Sequence, residues 1–406
     1  MWWCGQATGG DGIFYSRLTA SGWTSPQLVL SASSSGWDSK HVCDPSVIKG
    51  SFSIGGTSYT YAMYYTATYD TVGYDSHIGV AFSNDGVNWT KYSGNPIIAP
   101  SSSAAPSTLQ YGAGMQTAYR ASGTSANVTL AFFDSTSSGS RAYMVTSTNG
   151  VTFGSRTELP NPIGDTAIGD IAYSPSENVW YIATKHNSDT ESYVLKSSGS
   201  SLTSAWQEWG GRINNILTGN AKNHNPGFIR QPNGDIYTES GTQYKYVLFG
   251  TGGTSPSDWN IGQAIVTDGW LFDVNGNKQG WTTANVATDS GPSGGLWVVT
   301  ANALDPYWQS PPLSILSSNF SKVEINMANQ NANTTGKVYF KTHTEDYYSE
   351  SKSVSFTVSN SGGWDTYTVN LSANTKYTGM ITGLRVDPIE TGSNAPLGIN
   401  YIKIVP

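Results

Sequence analysis

"HIGVAFSNDGVNWTKY" (residues 77–92) and "AYMVTSTNGVTFGSRTEL" (142–159) carry one pattern twice: an alternating strand, a serine, a turn, then Gly, Val, Asn or Thr, and an aromatic. Asn-Asp-Gly and Thr-Asn-Gly read as hairpin turns, because Asn and Gly tolerate positive φ. "GIFYSRLTASGWTSPQLVL" (12–30) is a looser copy. Each copy follows a short aromatic strand, "MWWCG", "YAMYYTA" or "VTLAFFD", and before the second and third stand "CDPSVIKG" and "GAGMQTAY". Two more units fit, at 168–198 and 223–266. Small antiparallel sheets recurring every ~60 residues predict a five-bladed β-propeller over 1–269. The competing reading is a pair of β-sandwiches with coincidental turns. The first unit lacks a counterpart of "CDPSVIKG", so an innermost strand is expected upstream of Met1.

Composition agrees with an all-β chain. Of 406 residues 12% are charged, and Gly and aromatic residues are plentiful. That palette suits strands and polar turns, and no helical stripe of useful length occurs. A net charge of −7 argues against nucleic acid, which needs concentrated positive charge. No apolar run reaches the roughly 18 residues that cross a membrane. The chain opens without a signal peptide, yet few lysines and many Ser, Thr and aromatics point to a secreted protein, which is expected to be a monomer. Cys4 and Cys43 cannot make a tetrahedral metal site alone, and whether they pair is open.

After Asp268-Gly269 the character changes. Alternating runs such as "SKVEINMA", "GKVYFKTH" and "SVSFTVS" predict a β-sandwich over 270–406, a jelly roll in outline.

The propeller part resembles the five-bladed glycoside hydrolases of the family 43-like superfamily. The resemblance rests on "DPSV" before "YAMYYTA", on "IGVAFSNDGVNW", "YGAG" and "NHNPGFIRQPNGDIY", and spans residues 1 to 269. The second domain is similar to carbohydrate-binding jelly rolls, through "DPYWQSP" (305–311), "GKVYFKT" (336–342) and "LRVDP" (384–388). The resemblance implies hydrolysis of plant cell-wall polysaccharide or its oligosaccharides, of the xylan or arabinan type. Such chemistry uses two carboxyl groups on either side of the glycosidic bond, roughly 5–9.5 Å apart. A polysaccharide-binding protein without turnover and a retaining fructan-type hydrolase or transferase are the alternatives.

Asp44 matches the superfamily's Asp-Pro pattern on the inner strand of the second blade, and Asp170 in "AIGDIAY" is placed at the equivalent position of the fourth. These two are the catalytic candidates; a turn-capping role competes for both. His224 resembles the fifth-blade histidine beside a central cation, with Ca²⁺ as the implied ion and Asn225 lining the same pocket. The third-blade acid would align near Gln116, whose amide cannot release a proton, so Asp134, Asp165 and Asp170 are substitutes. Trp37 and Tyr111, just before inner strands, are candidates for stacking on sugar faces, against interblade packing. Among the sandwich aromatics, Tyr307, Trp308, Tyr347 and Trp364 are weighed as ligands or core.

Overall fold

The computed structural model describes residues 1–101, 110–120, 127–136, 139–160, 168–186, 189–255, 258–302 and 304–406. The fold is all-β: five successive strand groups of a propeller, the first two joined in one seven-stranded sheet and each numbered as a sheet, then a sandwich. The first sheet pairs Trp2–Ala7 with Gly10–Tyr15, which also pairs with Gln27–Leu30. A parallel bridge, Asp11 with His41, makes it continuous with the second sheet, and the Cys4–Cys43 disulfide spans the same junction.

The second sheet runs His41–Ile54, Thr57–Thr68, His77–Ser83, Thr90–Lys91. The third runs Gly112–Tyr119, Val128–Thr136, Gly139–Ser147, Thr157–Glu158. The fourth has Ile168–Ser174, Val179–His186, Glu191–Ser197 and Trp206–Ile213, and the fifth Lys222–Phe228, Lys245–Gly252 and Asn260–Val266.

The repeated turn has one construction in both copies. Ser83 Oγ accepts the Gly86 N–H and Ser147 Oγ accepts the Gly150 N–H, each at 2.9 Å. Asp85 Oδ1 takes the amides of Val87 and Asn88, as Asn149 Oδ1 takes those of Val151 and Thr152. Gly86 and Gly150 have φ 77° and 80°, the left-handed backbone for which Gly is suited. Their carbonyls then accept from the preceding sheet, Gly86 from Trp2 Nε1 and Gly150 from the Tyr64 hydroxyl. The turn motif is therefore also an inter-sheet tie.

Among the described residues, strands from Gly269–Trp270 onward pair only within the sandwich. One of its sheets is centred on Ala395–Val405, flanked by Trp297–Ala301 and Lys322–Asn329. The other is centred on Met380–Asp387, flanked by Tyr307–Gln309 and Thr335–Thr342. Their facing residues form one apolar core including Trp270, Trp281, Trp297 and Trp308. By compactness the chain divides into Met1–Asn187, Leu195–Gln207 and Asn225–Tyr237 as one unit, and Ser188–Val194, Glu208–His224 and Thr238–Pro406 as another. The second unit reaches upstream of residue 270, and Tyr244, just before the Lys245–Gly252 strand, belongs to the sandwich core cluster.

Candidate active site

The first strands of the second, third and fourth sheets face one another, and side chains stitch them together. Ser46 Oγ accepts the Ala118 N–H at 2.9 Å, Thr117 Oγ1 the Ile171 N–H at 3.1 Å, and Asp170 Oδ2 the Phe228 N–H at 2.9 Å. Each donor directly follows the next position in the series, so Ser46, Thr117, Asp170 and Gly227 are equivalent around this hub. Two residues earlier stand Asp44, Met115, Ile168 and Asn225.

At that earlier position the ladders slip, between Cys43 and Ser46, Gly114 and Thr117, and Ile168 and Asp170. Such a slip is a β-bulge, which re-aims a side chain. Asp44, Met115 and Asn225 have φ 49°, 51° and 49°. Left-handed backbone costs an L-residue roughly 1–2 kcal/mol, least for Asn and Asp. Pro45 follows the first of these bulges, where the ladder needs no N–H donor, and Pro226 follows Asn225, which shares the left-handed backbone. Asn225 is exposed and Asp44 and Met115 half-buried, while Val42, Ser46, Gly114 and Gln116 beside them are buried. The left-handed backbone turns these three side chains out of the packed ladder.

Asp44 Oδ2 accepts the Tyr111 hydroxyl at 2.9 Å. Burial pushes its carboxyl above the ordinary range, while Tyr111, Thr66, the Met115 amide and the Lys185 charge pull the other way. Tyr111 is held well above its usual value by burial and by Asp44, so it remains a donor. The site joins a desolvated carboxylate to a neutral phenol, a hydroxyl, an amide and a cation.

Two expectations need correction in register. Asp170 is not the counterpart of Asp44; it occupies the Ser46 position. Its carboxylate is 7% exposed, accepts from Thr117 Oγ1 at 3.0 Å and from the Ile171 and Phe228 amides, and lies 3.5 Å from Arg230 Nε. The true counterpart of Asp44-Pro45 is Asn225-Pro226, an Asx-Pro echo visible in the sequence. Gln116, 3% exposed, does not line a pocket. Its Nε2 donates to the carbonyls of Tyr64 (3.0 Å) and Asp44, and its Oε1 accepts from Thr66 Oγ1 at 2.9 Å. Two carbonyls in this contact require an amide, so Gln116 is a sheet-to-sheet tie.

Asp134 is 1% exposed, ion-paired to Arg156 and bonded to the Ser101 amide, which removes it from substrate reach. Trp37 stacks on Tyr65 at 5.8 Å and meets His77 edge-on at 6.3 Å, the packing role rather than the rim role. Asp165 lies outside the described residues.

His224 is 4% exposed and packs edge-on against Trp259 at 4.4 Å. Among the described residues, the one cluster of three or more potential His, Cys, Asp or Glu ligands is Cys4, Asp11 and Cys43, whose sulfurs are joined to each other. Calcium takes six to eight oxygen ligands, and this donor set does not fit it. Sequence reasoning missed Thr66, Lys185 and above all Arg230. Arg230 donates from Nη1 to the Ala118 carbonyl and from Nη2 to Ser46 Oγ, both at 3.0 Å.

No protein-family model matches the chain, and no curated protein matches it. Among solved structures it is similar to a glycoside hydrolase family 43 arabinoxylan arabinofuranohydrolase from Bacillus subtilis, at 13% identity and TM-score 0.36, covering 100% of this chain and 95% of that one. It is similar also to an α-L-arabinofuranosidase from Lactobacillus brevis (11% identity, TM-score 0.43, 65% of this chain and 89% of that one). A β-fructofuranosidase from Schwanniomyces occidentalis follows at 9% identity and TM-score 0.35, with 88% and 95% covered.

Proposed function

We propose that the chain is a secreted glycoside hydrolase acting on plant cell-wall polysaccharide of the xylan or arabinan type, with Asp44 as its working carboxylate. The observation that carries this reading is the Asp44 bulge: a carboxylate turned out of the ladder, its pKa raised by burial, with Tyr111 fixed on it. A carboxyl with a raised pKa exchanges protons nearer neutrality, as acid–base work on a glycosidic oxygen requires. The substrate class follows the sequence resemblance, and exposed Tyr347 and Trp364 are the sandwich's candidates for sugar stacking.

A second reading, a hub that binds sugar without cleaving it, is favoured by one specific fact. Asp170 and Gln116, the other expected members of the machinery, are committed to sheet contacts. One experiment separates the readings. Chromogenic arabinosides and xylosides are screened alongside polysaccharides with the wild type and Asp44→Asn. Turnover that falls ~10²–10⁴-fold in the variant, with sugar affinity kept, supports hydrolysis. Sugar binding with no release from any substrate overturns it in favour of the binder.

A further inference from the structure

We propose that Arg230 is a positioning residue for Asp44, a clamp whose planar fork fixes the bulges of three sheets at once; this rests on the reading of Asp44 as the working group. Its contacts fall just beyond each bulge: Ser46 Oγ after Asp44-Pro45, the Ala118 carbonyl after Met115-Gln116, and Asp170 after Ile168-Gly169. Two hydrogen bonds and an ion pair, one from each guanidinium nitrogen, suit a forked guanidinium and not an ammonium.

The chain around Arg230 repeats the grip further along the same strands. Lys49 N–H donates to the Pro232 carbonyl at 2.7 Å, Arg120 N–H to Asn233 at 2.9 Å, and Ile236 N–H to Tyr173 at 2.7 Å. Gly234, at φ 99°, comes so close that an added Cβ would stand 3.1 Å from the Ala118 carbonyl oxygen. Each of the three strands is thus held beside its bulge by the side chain and farther on by the backbone of one segment. Ser46 receives both the Ala118 amide and Arg230, so a displaced guanidinium moves the residue two places from Asp44.

The decisive readout does not depend on turnover. The thermal stability of Asp44→Asn relative to Asp44, followed from pH 3 to 8, traces how Asp44 titrates in the folded protein. It is measured with Arg230, Arg230→Lys and Arg230→Ala, Lys serving if the Ala variant does not fold. Loosening the clamp admits water to Asp44, so its titration is expected to move down toward that of an ordinary aspartate. In parallel, kcat on a cleaved glycoside is expected to fall ~100-fold with KM little changed, and dilute guanidinium to restore part of it in Arg230→Ala. An unshifted Asp44 titration in a folded Arg230 variant overturns the proposal. A shifted titration without glycosidase activity in the wild type keeps the clamp and sinks the hydrolase.

Discussion

The sandwich and the propeller hub bury their interiors by opposite means. In the sandwich, alternation puts Trp297, Val323, Ile325, Val338, Phe340 and Ile402 on facing inner surfaces of two sheets, one continuous apolar cluster. In the hub the facing strands present Ser46, Gln116, Thr117 and Asp170, all buried and all hydrogen-bonded across to a neighbour. Apolar packing is non-directional and tolerates small shifts, whereas directed bonds to backbone groups fix position. The hub therefore holds a strained Asp44 in one orientation, and the sandwich supplies bulk stability.

The largest effect separating them lies in the sandwich. Trp308→Ala removes a fully buried ring and is expected to cost about 3–5 kcal/mol, measured by denaturant unfolding. Its loss should be nearly independent of pH and salt. A strong pH dependence would break the contrast with the hub. Next comes Gln116→Glu, which sets a buried acid against the carbonyls of Tyr64 and Asp44. The expected loss is about 2–3 kcal/mol at neutral pH, shrinking as the pH falls and the new carboxyl takes up a proton to donate. An unchanged stability would show that the hub relaxes as freely as an apolar core.

This division also explains what could be read in advance. Strand alternation and the Ser-to-Gly turn are local, and both copies of that turn fold as their spacing foretold. Asp44 drew notice through its Pro neighbour; Tyr111 was singled out by its place before an inner strand as a sugar-stacking ring, whereas its hydroxyl is found on Asp44. The pairing of Cys4 with Cys43 needed the junction of two sheets. Asp170 was misplaced by two positions because a bulge shifts register without marking the sequence, although Asn225-Pro226 carried the right echo. Gln116 looked like a lost acid because its carbonyl partners come from another sheet. Arg230 gave no signal at all, since its two hydrogen-bond partners lie 112 and 184 residues away and its ion-pair partner Asp170 is in another sheet.

The smallest effect is the most discriminating, because it concerns Asp44 itself. Its folded pKa is raised above the ordinary 3.8. Between the two values the native protein therefore holds a proton that the unfolded chain has released. The slope of stability with pH follows unfolded minus native protons bound, which is negative in that window. Stability accordingly falls as pH rises from the ordinary aspartate range through the raised value, then stays level with respect to this group. Asparagine has no such proton to lose. Asp44→Asn should therefore gain on the wild type across the window and hold that gain to pH 8, each unit of upward shift being worth about 1.4 kcal/mol. Lys185 and Tyr111 trim the gain, since both favour the charged carboxylate. Thermal melts at intervals from pH 3 to 8 measure it. A variant that loses ground with rising pH would mean that the cation and phenol outweigh burial, and that Asp44 is a structural ion like Asp134 and not a group kept ready to exchange a proton.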